Sequence, residues 1–483
     1  MPLSFAQQRL WFLDQLNPGD TSQNIPLFLQ LDGELDQEAL SWSVQEIMRR
    51  HESLRTTFQT IDGEAVQRIA PAVTDFALPC LDFSAMEAEQ QQQAVRELLP
   101  REAGRAFNIA QDCLLRILLV RLQPQQHLFL VVMHHIITDG WSIGIFSAEL
   151  QALYQARVQQ QPSPLPELAI QYADFAAWQR QWLQSDAASE QLAYWKQRLQ
   201  GAQSFEYPAD HPRPEVNSHR GSNYTFTLSE QTTRTLKTFS QQESATIFMT
   251  LLTAFKCVLA RKTGSEDIVV GTDIANRTRQ ETEALIGFFI NLLALRTDLS
   301  GKPTFRQAVA RVRENVLGAY SNQELPYDVL VDRLHLKRSY GRTPLINLLF
   351  VLQNVPGGSA SASAGNEQEQ SLSISPVANE VTSSKFDFAV FMAETAEGGM
   401  AGSITYSTDL FDAVSMQQLV TAFEHYLQAA LAQPDLQIHE IPLPAEAKQS
   451  QPAPEPQVEA SKQERRPASL RKLGNIKGNR TKL

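Results

Sequence analysis

The chain has 483 residues, of which 43% are apolar and 20% are charged, and its net charge is -11. At about 100–200 residues per domain, this length exceeds one ordinary core and predicts two to four units. The acidic balance disfavours nucleic acid as a partner, because phosphate binding requires a basic surface.

Neither export nor membrane insertion is expected. The apolar runs, such as residues 128–133, are far shorter than the roughly 20 residues that cross a bilayer. Residues 1–5 lack the positive start and long apolar core of a secretory signal. Cys80, Cys113 and Cys257 are odd in number, far apart and outside any metal-ligand spacing. We therefore expect a reduced cytoplasmic protein without a metal site.

Apolar strand-like runs alternate along the chain with amphipathic helical segments, which predicts an α/β fold. Apolar residues spaced three and four apart indicate helices at residues 36–50, 149–158 and 194–199. Short apolar or alternating runs indicate strands at residues 115–122, 128–133, 348–352 and 385–391. The polar-aromatic stretch at residues 172–178 is where we expect one lobe to give way to the next.

Two segments have the composition of flexible chain. Residues 356–365 are almost entirely Gly, Ser and Ala and predict a loop. From residue 448 to the end, prolines are frequent, large apolar residues are few and the net charge is +6, which leaves -17 on the rest. This composition predicts a disordered basic tail or linker at residues 448–483, which would dock an acidic partner.

Two adjacent histidines end the strand predicted at residues 128–133, and a turn and a helix follow. Neighbouring strand residues face opposite sides, so either His134 or His135 points into a given cleft while the other packs behind it. This geometry disfavours a metal site of two histidines. A neutral imidazole can instead accept a proton from an attacking amine or hydroxyl, or orient that nucleophile.

The turn after the histidines supplies further candidate residues. Asp139 could orient a ring, although a turn aspartate more often holds the loop through backbone bonds or a buried arginine. Gly140 permits a positive φ and leaves room for a substrate carbonyl to reach a backbone N–H, as an oxyanion donor would. Ser142 suits the N-cap of a helix that begins at residue 143. A core strand with two satisfied histidines is the structural alternative.

Residues 134–140, HHIITDG, resemble the His-His-x-x-x-Asp-Gly motif of the condensation domains of nonribosomal peptide synthetases, which are relatives of chloramphenicol acetyltransferase. Further segments resemble other motifs of this family and follow in the family's order. They are residues 4–11 (SFAQQRLW), 50–58 (RHESLRTTF), 172–178 (YADFAAW), 286–291 (IGFFIN), 322–328 (NQELPYD) and 342–345 (RTPL). The resemblance covers roughly residues 2–440.

The resemblance implies two chloramphenicol acetyltransferase-like α/β sandwich lobes in a V arrangement, at residues 1–175 and 176–447, with the active site in a tunnel between them. Donor and acceptor peptidyl carrier proteins would dock at its two mouths. Each would present its substrate on a 4'-phosphopantetheine arm, so that the domain itself, a monomer, holds no covalent cofactor. The reaction would be amide formation between the donor thioester and the acceptor amine.

The resemblance also implies roles for single residues. His135 would position or deprotonate the amine beside its neighbour His134, and the Gly140 N–H would hold the developing oxyanion. Asp139 would be structural and would pair with an arginine of the second motif, Arg50 in preference to Arg55.

The remaining candidates are expected to shape the turn or line the tunnel. Trp141 and Ser142 belong to the turn. Asn291 could line the tunnel, although an asparagine at a strand end more often satisfies backbone groups. The chain departs from the family's pattern at Leu292, where threonine is usual, and at Asn347, where glutamine is common.

The Trp141-Ser142 order differs from the Ser-Trp order usual in epimerisation domains, and both histidines, which cyclisation domains usually replace with acids, are present. Residues 163–172 resemble the subtype that joins two L-residues. Two alternatives stay open, namely acyl transfer to a free amine or alcohol and a non-catalytic scaffold that docks carriers. No carrier or adenylation segment is recognisable, so we expect phosphopantetheine to arrive on partners.

Overall fold

Two α/β lobes form the part of the chain that a computed structural model describes, which is residues 1–215, 217–336, 342–353, 372–377 and 383–444. The predicted loop at residues 356–365 and the predicted tail at residues 448–483 lie outside the described residues. Each lobe has its own sheet and its own cluster of buried apolar side chains. The predicted α/β fold with two lobes is therefore confirmed.

The regular elements alternate along the chain as the sequence predicts. The strands are β1 (Asn24–Gly33), β2 (Thr56–Ile61), β3 (Glu64–Ile69), β4 (Cys80–Asp82), β5 (Leu115–Gln123), β6 (Gln126–His134), β7 (Gly221–Leu228), β8 (Asp267–Ile274), β9 (Asn291–Asp298), β10 (Leu348–Gln353), β11 (Leu372–Pro376), β12 (Phe388–Glu394) and β13 (Met400–Ser407). The helices are α1 (Phe5–Leu16), α2 (Gln37–Arg50), α3 (Ala88–Ala103), α4 (Gly140–Val158), α5 (Tyr172–Trp182), α6 (Asp186–Leu199), α7 (Glu230–Gln242), α8 (Ile247–Thr263), α9 (Gln280–Glu283), α10 (Phe305–Ser321), α11 (Tyr327–Arg333) and α12 (Ala413–Ala432). Short 3-10 turns lie at Thr21–Gln23, Glu52–Arg55 and His135–Ile137.

The first lobe is built on a five-stranded sheet with the order β11-β1-β6-β5-β4. Strand β6 lies at its centre, antiparallel to both β1 and β5, with His134 opposite Asn24. All but the first residue of β6 are buried, which explains its unbroken apolar run. The sheet thus delivers the end of β6, where the two histidines lie, into the interior of the protein.

Strand β11 belongs to the first sheet although it comes late in the chain, where it pairs antiparallel with β1. The later part of the sequence therefore completes the earlier lobe. Division of the chain into lobes at residues 1–175 and 176–447 remains a prediction. A single cut in the sequence cannot assign β11 to the first lobe, because this strand comes from the later part of the chain.

The predicted helices form, but α4 and α6 begin earlier than predicted, at Gly140 and Asp186. The Asp36 side chain caps α2 by accepting the Ala39 N–H at 2.8 Å, and the apolar face of the helix is buried. Helix α4 begins at Gly140, and its N-cap is Asp139, whose carboxylate accepts the Ser142 N–H at 2.8 Å. The prediction that Ser142 caps this helix is wrong, because the aspartate three residues earlier takes that place.

The second lobe carries a six-stranded sheet with the order β7-β13-β12-β10-β8-β9, packed against α8, α10 and α12. Strands β8 and β9 pair antiparallel, and the connection between them, residues 275–290, extends to the first lobe. Ile286 and Phe288 of this connection pack in the first lobe's core. This connection brings residues of the second lobe to the histidine motif.

In the described residues, no single helix has the length and apolar character needed to cross a membrane. The bent pair α7 and α8 would qualify together by length and composition.

Candidate active site

His134 is the last residue of β6 and lies inside the first lobe. Its side chain is 3% exposed, and its Nδ1 accepts the Ile136 N–H at 3.1 Å. The ring also meets the ring of Phe107 edge-on. Burial, assisted by the positive charge of Lys385, lowers the pKa of His134 to about 4. His134 is therefore a neutral, packed residue that supports the strand end.

His135 begins the 3-10 turn after β6 and, unlike His134, is a partly buried residue. Its Nδ1 lies 2.8 Å from the carbonyl oxygen of Thr138. Because a carbonyl can only accept, Nδ1 carries the proton and Nε2 keeps a free lone pair. Burial, with the charge of Lys385 adding to it, lowers the pKa of His135 well below its usual value. The residue is thus a neutral base whose free nitrogen is Nε2.

Gly140 is exposed at the first position of α4, where its N–H has no partner within the helix. Its φ is not positive, so the positive φ that glycine permits is not used here. A Cβ built on Gly140 would meet no atom within 4 Å. The space beside this amide is what a substrate carbonyl would need, and the positive end of the helix dipole lies at the same place.

Asp139 is fully buried and pairs with Arg277, whose guanidinium nitrogen lies 3.2 Å from the carboxylate. The predicted pairing of Asp139 with Arg50 or Arg55 is therefore wrong. Arg277 comes from the connection after β8, so the ion pair joins the two lobes. Its guanidinium also lies over the ring of Phe289, 4.1 Å from the centroid.

The arginines of the second motif have other partners. Arg50 donates to Glu149 at 2.8 Å and to the carbonyl of Pro166. Arg55 donates to Glu52 at 3.3 Å and to the carbonyl of Ala70. The physical reason is position: Arg50 ends α2, which packs against α4, and Glu149 lies on the buried face of α4. The nearest buried carboxylate, and not the motif aspartate, neutralises this guanidinium.

The remaining predicted residues have structural contacts. The Trp141 indole donates to the carbonyl of Glu283 at 3.0 Å, and the Ser142 hydroxyl lies 2.9 Å from the carbonyl of Gly287. Asn291 donates to the carbonyls of residues 323 and 325 and accepts the Tyr327 N–H at 2.9 Å. Asn291 thus satisfies backbone groups, as expected of a strand-end asparagine, and Trp141 and Ser142 join the lobes.

Two titratable groups near the motif were not predicted from the sequence. The Lys385 amine donates to Gln23 at 2.9 Å, and burial together with the charge of Arg9 lowers its pKa to about 7. Asp273 lies at the end of β8, where burial and, to a lesser degree, the charge of Asp139 raise its pKa to about 6. Both side chains are desolvated yet partly open, as is His135. Poorly solvated titratable groups of this kind suit proton transfer away from bulk water.

Replacement of Gly287 by alanine is expected to lower the free energy of unfolding by about 1–3 kcal/mol. A Cβ at this position would overlap the ring of Tyr172 and lie 2.9 Å from that of Phe289. Tyr172 cannot move away without giving up its hydrogen bonds to Ser4 and to the carbonyl of Phe288. Urea unfolding measures the loss. Gly140→Ala is the matched control, because its Cβ enters open space, and an equal stability of both variants would contradict this packing argument.

The chain is similar to known proteins along nearly its whole length. A family model described as the condensation domain matches residues 1–451. The chain is 45% identical over 454 residues to a linear gramicidin synthase of Brevibacillus parabrevis, an alignment that covers 93% of this chain and 9% of that protein.

Among solved structures, the X-domain from teicoplanin biosynthesis matches 92% of this chain and 97% of its own, with a TM-score of 0.81 and 26% identity. The SgcC5 protein from Streptomyces globisporus matches 90% of this chain and 100% of its own, with a TM-score of 0.73 and 28% identity.

Proposed function

Because the chain belongs to the condensation domain family, we propose that it forms an amide bond between a donor acyl thioester and the amine of an acceptor. Both substrates would be held on phosphopantetheine arms of carrier proteins, the class of partner with which the family works. The chain spans 9% of its linear gramicidin synthase relative, so that protein's product is not carried over. The assignment to the subtype that joins two L-residues is likewise a proposal.

The observation that carries this function is the state of His135. Its Nδ1 proton is held by the carbonyl of Thr138, and its partly buried ring is neutral, so Nε2 is available as an acceptor. An acceptor amine that hydrogen-bonds to Nε2 is oriented for attack and loses its proton as the bond forms. A general base needs this combination of geometry and protonation state.

The chemical step balances without any further reactant. The amine nitrogen attacks the thioester carbonyl carbon, the C–N bond forms, and the oxygen of the tetrahedral intermediate faces the N–H of Gly140. The C–S bond then breaks, and the sulfur leaves as the thiol of the donor arm. The proton taken from the nitrogen by Nε2 of His135 passes to that sulfur, which leaves the base neutral.

Reconstitution with two loaded carriers tests the proposal. Intact mass spectrometry should show the donor acyl group joined to the acceptor on its carrier, with the donor carrier left as a free thiol. An equal rate with an untethered amine or alcohol as acceptor would favour transfer to a free substrate. If every carrier pair binds the chain and none gives a product, the chain would be a docking scaffold.

The pH dependence of the single-turnover rate is predicted from His135. The lowered pKa of the imidazole keeps it neutral at and below pH 6.5, where a free histidine is half protonated. We expect no loss of rate due to protonation of His135 from about pH 8 down to about pH 6.5, and a loss only at lower pH, where the imidazole becomes charged. A rate that halves near pH 6.5 would contradict this, and carriers alone at each pH control for hydrolysis of the thioester.

We also propose a compartment, a role for the basic tail and an oligomeric state for the domain. The three cysteines lie within the described residues and are free, which supports a reducing, cytoplasmic setting.

Residues 448–483 have a charge of +6 and would attract an acidic partner. Deletion of these residues is expected to weaken carrier binding and its dependence on salt, with the chemical step unchanged. We propose that the domain acts as a monomer.

A further inference from the structure

Residues 286–289, which we name the docked segment, lie in the connection between α9 and β9 of the second lobe and are bound by side chains of the first lobe. Every one of the four residues takes part, and the hydrogen bonds are 2.6–3.3 Å long. They are the Ile286 N–H to His51 Nδ1, the Ser53 hydroxyl to the Ile286 carbonyl, the Gly287 N–H to Ser142 Oγ, the Tyr172 hydroxyl to the Phe288 carbonyl and the Phe289 N–H to Asp139 Oδ2.

The side chains that bind the docked segment are themselves fixed. His51 is held by Glu149 at 2.8 Å, Asp139 by Arg277 at 3.2 Å, and the Tyr172 hydroxyl lies 2.8 Å from that of Ser4. All five side chains that bind the docked segment are buried. Since their partners are also in place, the segment cannot shift along the first lobe without breaking several buried hydrogen bonds at once.

The docked segment places the ring of Phe288 on the ring of His135. The two centroids are 4.7 Å apart with an interplanar angle of 60°, and Phe288 is 6% exposed. The imidazole is also held at Nδ1, by its hydrogen bond to the carbonyl of Thr138. One hydrogen bond leaves a ring free to rock about that bond, and a packed aromatic ring removes this freedom.

We propose that Phe288 is a positioning residue for His135: its ring excludes water from one face of the imidazole and holds Nε2 in the direction from which the acceptor amine approaches. The contact itself is independent of the reaction, and its effect on rate rests on the proposed function. The docked segment would thereby make the orientation of His135 depend on the second lobe.

The electrostatic surroundings of His135 allow this effect to be isolated. The other groups that face the imidazole are His134 from β6, the amine of Lys385 from the segment before β12, and the Thr138 carbonyl. None of these contacts involves Phe288. Removal of its ring would admit water to one face, reduce the penalty on the charged imidazolium and raise the pKa of His135 towards its usual value.

The experiment uses Phe288→Ala and the milder Phe288→Leu, with Phe289→Leu as the matched control. Phe289 lies on the same segment and is 1% exposed, but its ring packs against Tyr172 and Phe175. Proteins carrying isotope-labelled histidine are titrated by NMR, and His135→Gln identifies the His135 signal. Thermal unfolding establishes that each variant is folded at the temperature of the titration.

In the unaltered chain and in Phe289→Leu, the His135 signal should not titrate between about pH 6 and 8. In Phe288→Ala a titration of His135 should enter this range from its acid side as the pKa of the ring rises, and the titration of Phe288→Leu should lie between those of the other two proteins. The single-turnover rate of Phe288→Ala should fall about 10- to 100-fold at pH 8, where the ring is neutral in every variant. The loss of rate at pH 8 measures the lost orientation of the His135 ring, and the new titration measures the exposure of that ring to water.

Three outcomes are decisive. An unchanged titration and rate in Phe288→Ala would overturn the proposal, as would an equal shift in Phe289→Leu, which would indicate general loosening of the core. If the titration shifts in the Phe288 variants but no protein forms an amide, the unaltered chain included, the positioning contact is supported and the proposed function fails.

Discussion

Replacement of His135 by alanine is expected to lower the rate of amide formation by about 10²- to 10⁴-fold, the usual contribution of a positioned general base. The structure supplies the reason. The ring is neutral, its Nδ1 proton is held by Thr138, and its Nε2 is the free acceptor at the site. Alanine removes this acceptor and leaves the amine to shed its proton to water. The measurement is the single-turnover rate with both carriers loaded.

His134 provides the matched control for this experiment. It is the adjacent imidazole, but it is 3% exposed and its Nδ1 is occupied by the Ile136 N–H. His134→Asn should therefore lower thermal stability while the folded fraction keeps most of its rate. His135→Ala should behave in the opposite way, because the residue is only partly buried and its ring makes one polar contact to its own turn. Full turnover by His135→Ala would show that the base lies elsewhere.

The different burial of the two histidines could be predicted from the sequence, whereas the choice of His135 as the acting ring came from the family resemblance and stays a prediction. Adjacent positions at a strand end cannot serve the same cleft, and β6 lies at the centre of its sheet with its side chains buried. Helix α2 and strands β5 and β6 followed from their apolar periodicity, because burial on one or two faces leaves that signature. These predictions depend only on the spacing of apolar residues within short stretches of the sequence.

The partners of the charged residues could not be predicted in this way. Asp139 and Arg277 are 138 positions apart, and Arg50 and Glu149 are 99 apart. The family resemblance suggested Arg50 for Asp139, but tertiary packing decides which buried charges meet. One signal was available: Glu149 interrupts the buried face of α4, and a carboxylate at such a position requires a cation. For Arg277, in the connection between β8 and α9, we find no comparable sign in the sequence.

Removal of the Asp139 carboxylate should be the most destabilising of the substitutions considered. In Asp139→Ala the guanidinium of Arg277, whose side chain is 2% exposed, stays buried without its counter-charge. The N–H groups of Ser142 and Phe289 also lose their acceptor. Breaking a buried ion pair from one side costs about 3–5 kcal/mol. The free energy of unfolding in urea, with circular dichroism as the readout, measures this loss.

A double-mutant cycle separates the ion pair from the rest of the network. Asp139→Ala in an Arg277→Met background should cost less than in the unaltered chain, because no uncompensated cation remains. Glu167→Ala is the control, since it breaks an exposed pair with Arg49 and should cost at most about 1 kcal/mol. If Asp139→Ala keeps the urea midpoint and loses activity alone, Asp139 acts in the chemistry. If the urea midpoint and the activity fall together, Asp139 supports the site through the structure, because it caps the helix that presents Gly140 and joins the two lobes through Arg277.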